Sequence, residues 1–373
     1  MGVDNLAGTS SNVQLHINGL DGIRACAFLM VLVGHSGISW VPNGFGVTVF
    51  FFLSGYLITT LLRREWIRTG TISVSRFYIR RVFRILPPLY CGLIFATVLA
   101  LTGITHSDVH WKAIAAIQLF MTNYSEAWLK VNVPLGLSVL WSLAVEEHFY
   151  LAFPLVYRSM LRANIGKNRQ VMFLCALCIL VLAWRTILMA VYHVFWNRVY
   201  TGTDTRLDSI LFGSILAIAA NPVIDRLDGV TRRRYFISAL IGVLVLLASI
   251  AVRGEMFRQT ARYTIQGTAL VPVFLYVIRY AGSAITRVLD ARILTHIGDL
   301  SYSLYLVHYT VMFVVKTWIG TNPYLVLTLT FALSYILAVI MRRGVEMPAN
   351  RMRNRILRRF APKIVLQPAP ADL

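Results

Sequence analysis

Arg24 and His35 stand eleven residues apart on the first strongly apolar stretch of a 373-residue chain. Eleven helical residues at about 100° each make about three turns, so both side chains share one face, roughly 16 Å apart along the axis. An ionisable group in hydrocarbon costs several kcal/mol unless it meets a partner or a wet cavity, so such a pair points towards chemistry. Imidazole titrates near neutral pH, which suits His35 to proton transfer. A guanidinium at Arg24 suits binding of an anionic group or stabilisation of a developing oxyanion. The structural alternatives are a snorkelling anchor for Arg24 and a hydrogen-bonded interior histidine for His35.

Further polar residues interrupt later apolar runs. Arg80, Arg81 and Arg84 share a helical face through i,i+3 and i,i+4 spacing, forming a guanidinium fork suited to phosphate as well as to lipid headgroups. Glu146 and Glu147 lie about 8–10 Å into another run, where a carboxylate must be protonated, paired or wet. Glu146 shares its face with Tyr150, and the same segment opens on Trp141. Ser301, Tyr305 and His308 form one stripe, suited to substrate contact or to interhelical hydrogen bonding. Arg206 and Asp208 are read as a substrate-contacting pair or an intrahelical ion pair. Arg185 and Glu346 read equally as packing partners or as ligands.

The elements that must position these residues are membrane helices. Hydrophobic residues make up 57% of the chain and charged residues 14%, with a mean hydropathy of +0.65, whereas soluble domains carry about 25% charged residues. Runs of spanning length fall at Ile23–Trp40, Phe45–Leu62, Leu86–Gly103, Leu140–Tyr157, Val171–Ala190, Leu207–Ala220, Tyr235–Val252, Tyr263–Ala281, Ile297–Thr317 and Tyr324–Met341. The segment from Trp111 to Met121 reads as a re-entrant or interfacial piece. The expected fold is therefore all-α, a polytopic membrane bundle of about ten transmembrane helices.

Placing both termini in the cytoplasm puts 27 of the 36 Lys and Arg residues on the inner side, as the positive-inside rule requires. The net charge of +20 is thus mostly topology, and no nucleic-acid partner is expected. Trp40, Trp111, Trp128, Trp196 and Trp318 fall at the opposite ends, as an interfacial belt would. The first twenty residues lack a secretory signal, so the first span is expected to direct insertion. Cys26, Cys91, Cys175 and Cys178 lie in apolar runs and read as small buried hydrophobes without disulfides. The expected organisation is a cytoplasmic segment at 1–20, a membrane domain at 21–348 and a basic tail at 349–373 lying on anionic lipid.

Taken in order, these segments resemble the integral-membrane acyltransferase 3 family. The matching pieces are Leu20-Asp21-Gly22-Ile23-Arg24-Ala25 leading to His35, Gly46-Val47 to Phe50-Phe51-Phe52-Leu53-Ser54-Gly55-Tyr56, and Arg81-Val82-Phe83-Arg84. They continue with Trp141-Ser142-Leu143 to Glu146-Glu147 and Tyr150, Arg206-Leu207-Asp208, Gly298-Asp299-Leu300-Ser301-Tyr302 to His308, and Glu346-Met347-Pro348. The resemblance spans about residues 20 to 350. It implies a ten-span bundle in the bacterial inner membrane that acylates sugar hydroxyls. His35 and Arg24 become the essential pair, and Arg81 and Arg84 a cytoplasmic donor site. Some members carry an extra periplasmic domain, for which this chain is too short. Thr48 departs from the pattern, since many members have Asp there, and no role is assigned to it.

The mechanism expected on this basis is acetyl transfer from cytoplasmic acetyl-CoA, without a metal, to a glycan, lipo-oligosaccharide, lipid-linked saccharide or small glycoside. The fork, including Arg80, would hold the CoA phosphates, and the pantetheine arm would span a distance comparable to the roughly 16 Å between Arg24 and His35. Glu146 or Glu147 would orient His35. Trp141, Tyr150, Arg206, Asp208, Ser301, Tyr305 and His308 would contact the acceptor. The competing reading is a transporter or flippase of lipid-linked saccharide that uses the same buried charges as a pathway.

Overall fold

The computed structural model describes residues 17–105, 110–125, 133 and 136–359, and every regular element among them is helical. The order is α1 (Leu20–His35), α2 (Asn43–Thr69), α3 (Val74–Leu101), α4 (Trp111–Gln118), α5 (Trp141–Arg162), α6 (Lys167–Ala190), α7 (Trp196–Thr201) and α8 (Thr203–Ala219). Then come α9 (Arg232–Ala251), α10 (Glu255–Gln259), α11 (Ala261–Arg279), α12 (Ala284–Leu289), α13 (Arg292–Trp318), α14 (Pro323–Met341) and α15 (Met347–Arg359). A π-helical turn, Arg342–Glu346, joins the last two.

Each of the ten apolar runs falls on one of these helices. Seven are long and apolar enough to cross a membrane: α2, α3, α5 with its preceding turn, α6, α9, α11, and α14 with its continuation. The other three fall short for visible reasons. The first has only 16 residues in helix and α8 only 17. The thirteenth is 27 residues long but carries Ser301, Ser303, Tyr305 and His308 along its middle. The first run was expected to continue to Trp40, yet α1 stops at His35 because Gly37 turns into the left-handed region (φ 108°).

Burial sorts the helices into an inner and an outer set. In α2, 72% of the most apolar window is buried, against 28% in α6, α9 and α14. The outer set presents Ile179, Leu180, Leu244, Leu247, Ile336 and Ile340, a surface that only lipid or another apolar partner can cover. Two glycines let the inner helices meet. A Cβ on Gly55 of α2 would overlap the Ile210 carbonyl of α8, and one on Gly213 of α8 would overlap the Phe52 carbonyl of α2. Small residues at such contacts bring backbones together where lipid gives no hydrophobic drive.

Polar knots pin the loops and the interior. Arg63 forms two bonds with Asp225, at 2.9 and 3.1 Å, and Lys167 approaches the same carboxylate at 3.5 Å. Burial opposes the charge of Asp225, but Arg63, the Asn221 amide and Lys167 outweigh it and hold the carboxyl below its usual range. Ser303 donates to Glu346, so the π-helical turn is fastened back onto α13. The basic helix α15 packs against α3.

Three expectations need comment here. Only Cys178 is buried; Cys91 and Cys175 are half-buried and Cys26 is exposed, because it points away from the partners of α1. Trp40, Trp111, Trp196 and Trp318 are all exposed, while Trp128 lies outside the described residues. Most of segments 1–20 and 349–373 also lies outside them, apart from α15.

Candidate active site

His35 is the last residue of α1, and its surroundings are set by α13. Lys316 Nζ donates to the His35 carbonyl at 3.0 Å, occupying an acceptor that the helix end leaves without an amide partner. His35 Nδ1 lies 3.2 Å from His308 Nε2, and His308 Nδ1 lies 2.8 Å from the Tyr305 carbonyl. The carbonyl can only accept, so His308 Nδ1 carries the proton and a neutral His308 offers Nε2 as an acceptor. His35 Nδ1 is then the donor, and His35 Nε2 keeps its lone pair. This tautomer is assigned from the hydrogen-bond chain. The two imidazoles are parallel within 3°, and Tyr309 flanks His35 at 4.7 Å between ring centroids.

His35 lines a cavity of about 1130 Å³ bounded by the end of α1, the start of α5, α7, α10 and α11. Tyr305, Tyr309, Trp141, Tyr200 and Tyr263 supply aromatic wall. Tyr305 Oη is fixed by Ser142 Oγ at 2.7 Å and by the Val139 carbonyl at 3.1 Å. The volume accommodates a saccharide, and aromatic walls with a few fixed polar groups are the usual composition of a ligand site.

Arg206 lies behind this wall. It is fully buried, 3.9 Å from the Tyr263 ring centroid and 5.4 to 5.7 Å from those of Tyr200, Phe51 and Trp141. Its hydrogen bonds go to Thr48 Oγ1 at 3.1 Å and the Tyr200 carbonyl at 3.3 Å. The guanidinium therefore braces cavity-lining rings through cation–π contacts and does not itself face the cavity. Thr48, which had no role assigned above, is its hydroxyl partner.

Asp208 is not paired with Arg206. Residues i and i+2 point to nearly opposite sides of a helix, and Asp208 turns to Arg185 on α6, with bonds of 3.0 and 3.1 Å between fully buried groups. Thr264 Oγ1 adds a third bond at 2.8 Å. Asp208, expected to contact substrate, is thereby held in an interhelical tie to Arg185, away from the cavity lining.

The paired glutamates are also divided. Glu146 accepts from Ser54 Oγ at 2.6 Å, and Tyr150 Oη lies 3.1 Å from its second oxygen. Arg81 stacks over the Tyr150 ring at 4.6 Å, so Tyr150 joins the carboxylate to the fork and does not reach the cavity. Glu147 is the freer acid, with Oε1 buried and lacking a hydrogen-bond partner among the described residues. Neither is the orienting partner expected for His35, because His308 occupies that nitrogen. His308 itself is fully buried, and its side chain meets His35 and not the cavity. Ser301 is likewise buried away from the cavity.

At the other end of α1, Arg24 pairs with Asp21. Three turns from His35, it is too far to bind an oxyanion forming there. The charge of Arg84 acts on Arg24, Arg81 and Arg353 alike. Arg24, Arg81, Arg84 and Arg353 thus make one cationic group, with Arg84 exposed. Arg80 is drawn off by Glu65 at 3.4 Å. An acyltransferase-domain profile matches residues 17–343.

The chain belongs to the acyltransferase 3 family. O-acetyltransferase OatA of Staphylococcus aureus strain NCTC 8325 / PS 47 is 32% identical over 358 residues, covering 90% of this chain and 57% of that protein. The protein of the same name from strain MRSA252 aligns with the same figures. The chain therefore spans about 57% of the length of these relatives. No solved structure matches it significantly.

Within this acyltransferase domain, the fold brings His35, Trp141 and Tyr305 to one cavity, and gathers Arg24, Arg81 and Arg84 elsewhere. Sequence reasoning missed Tyr309, Tyr200, Tyr263 and Arg353. Tyr309 follows directly on His308, a signal that could have been read. The others become neighbours only through tertiary packing.

Proposed function

We propose that this protein is a multi-pass enzyme of the bacterial inner membrane that transfers an acetyl group from cytoplasmic acetyl-CoA to a sugar hydroxyl. The bundle crosses the membrane ten times, with α1, α8 and α13 completing the set and both termini in the cytoplasm. Arg81, Arg84, Arg24 and Arg353 hold the CoA phosphates by charge-assisted hydrogen bonds. The acceptor, a glycan, lipo-oligosaccharide or small glycoside, enters the cavity at the opposite end.

His35 Nε2 removes the hydroxyl proton of the acceptor as its oxygen forms a bond to the acetyl carbon. The carbon–sulfur bond then breaks, and the proton held on His35 passes to the CoA thiolate. His308 stabilises the transient imidazolium by accepting from Nδ1, without taking part in the bond changes. The observation that carries this reading is His35 at the wall of a saccharide-sized cavity, with a cluster of arginines three helical turns away. Membranes containing the protein should transfer label from acetyl-CoA to endogenous glycan in a His35-dependent manner; donor-independent movement of lipid-linked saccharide would favour a flippase.

A further inference from the structure

The charge rule that organises the loops breaks down at one place. Nine of the 36 Lys and Arg residues fall away from the basic side, and four of them, Arg198, Arg253, Arg258 and Arg262, line the His35 cavity. They come from α7, the turn after α9, α10 and α11, so no single helix face accounts for them. Glu255 is the one acidic lining residue among those described.

Two of the four are already engaged. Arg198 pairs with Asp204 at 2.6 Å, and Arg262 donates to the Val252 carbonyl at 2.9 Å. Arg253 and Arg258 are exposed and join no ion pair among the described residues. Two guanidinium groups held in no ion pair at the cavity wall raise the local concentration of anions and match tetrahedral oxyanions in bidentate fashion. A phosphate carries about −1.5 to −2 charges at neutral pH, enough to satisfy both; a carboxylate carries one. The aromatic faces of Trp196, Tyr200 and Tyr263 line the same space, so the oxyanion and a sugar ring would be bound side by side.

We propose that the acceptor is a phosphorylated saccharide, its phosphate held by Arg253 and Arg258 while a sugar hydroxyl reaches His35. This rests on the reading of the cavity as the acceptor site. The experiment reconstitutes the full chain in neutral phosphatidylcholine nanodiscs without an acyl donor and follows quenching of the cavity tryptophans. The probes are a neutral disaccharide, N,N′-diacetylchitobiose, the same disaccharide bearing a 1-phosphate, and inorganic phosphate. The phosphorylated disaccharide should bind about tenfold more tightly than either of the others. Arg253→Gln with Arg258→Gln should abolish that preference, while Glu255→Gln should strengthen it two- to threefold.

Equal binding of both disaccharides, no binding at all, or a preference that survives in the double variant would overturn the proposal. So would inorganic phosphate binding as well as the sugar phosphate. Loss of the preference in discs containing phosphatidylglycerol would assign the arginines to lipid headgroups. Weakened acetyl-CoA binding in the double variant, with sugar binding intact, would assign them to the donor. Because no donor is present, the titration stands apart from acyl transfer. A failed transfer assay with an intact preference removes the reaction, and working transfer without the preference removes the anionic acceptor.

Discussion

His308 Nε2 lies 3.2 Å from His35 Nδ1, and its other ring nitrogen lies 2.8 Å from the Tyr305 carbonyl. One backbone acceptor thereby fixes two tautomers in series and leaves the lone pair on His35 Nε2. His308→Ala should lower kcat for acetyl transfer by about 100-fold, the scale of general-base assistance, with acceptor KM changed less than threefold. The pH dependence of kcat should move as well, which a merely structural loss would not produce. A KM effect alone would return His308 to acceptor binding.

Acetyl-CoA affinity should report the cationic group below α1. Arg81→Ala with Arg84→Ala should raise the acetyl-CoA Kd by about 10- to 100-fold, given roughly 1.5–3 kcal/mol for a hydrogen bond to a charged group. Arg80→Ala should have a smaller effect, because Glu65 already holds that side chain. Calorimetry on purified protein measures both variants. Equal losses at Arg80 and Arg84 would contradict the division.

Much of this arrangement was legible in the residues. Hydropathy gave the helices, and the i,i+11 spacing placed Arg24 and His35 at the two ends of α1. Where the structure places residues differently, the cause is shared: sequence spacing shows which residues share a face, not what that face meets. Asp208 looked like the partner of Arg206 until α6 supplied Arg185 from 23 residues away. Glu146 looked like the partner of His35 until Ser54 and Tyr150 took both carboxylate oxygens. His308 looked exposed to substrate because its stripe on α13 was known but the depth of burial was not.

The Arg185–Asp208 tie is a stability element. Asp208→Ala leaves a buried guanidinium without its countercharge and should cost about 3–5 kcal/mol. Thermal unfolding in detergent should show a clear drop in Tm, accompanied by lower membrane yield. Protein of normal Tm with impaired acceptor binding would restore Asp208 to the site.

Asp225 gives the loops an acid sensitivity of known sign. Its carboxyl titrates lower in the folded chain than in the unfolded one, so the unfolded chain takes up the proton first. The stabilisation is complete above the unfolded value of about 3.9 and is lost as pH falls towards the folded value. Asp225→Asn should be less stable than the parent at pH 6, and the gap should narrow as pH falls below about 4. A gap that stays constant across that range would mean that the charge on Asp225 contributes nothing.

The most direct test compares His35→Ala with the parent protein at matched membrane abundance, in cells supplied with labelled acetate. Acetylated surface glycans and lipo-oligosaccharides are then quantified by mass spectrometry. Acetylation at the level of deletion cells is the expected result; undiminished acetylation would contradict His35 as the base.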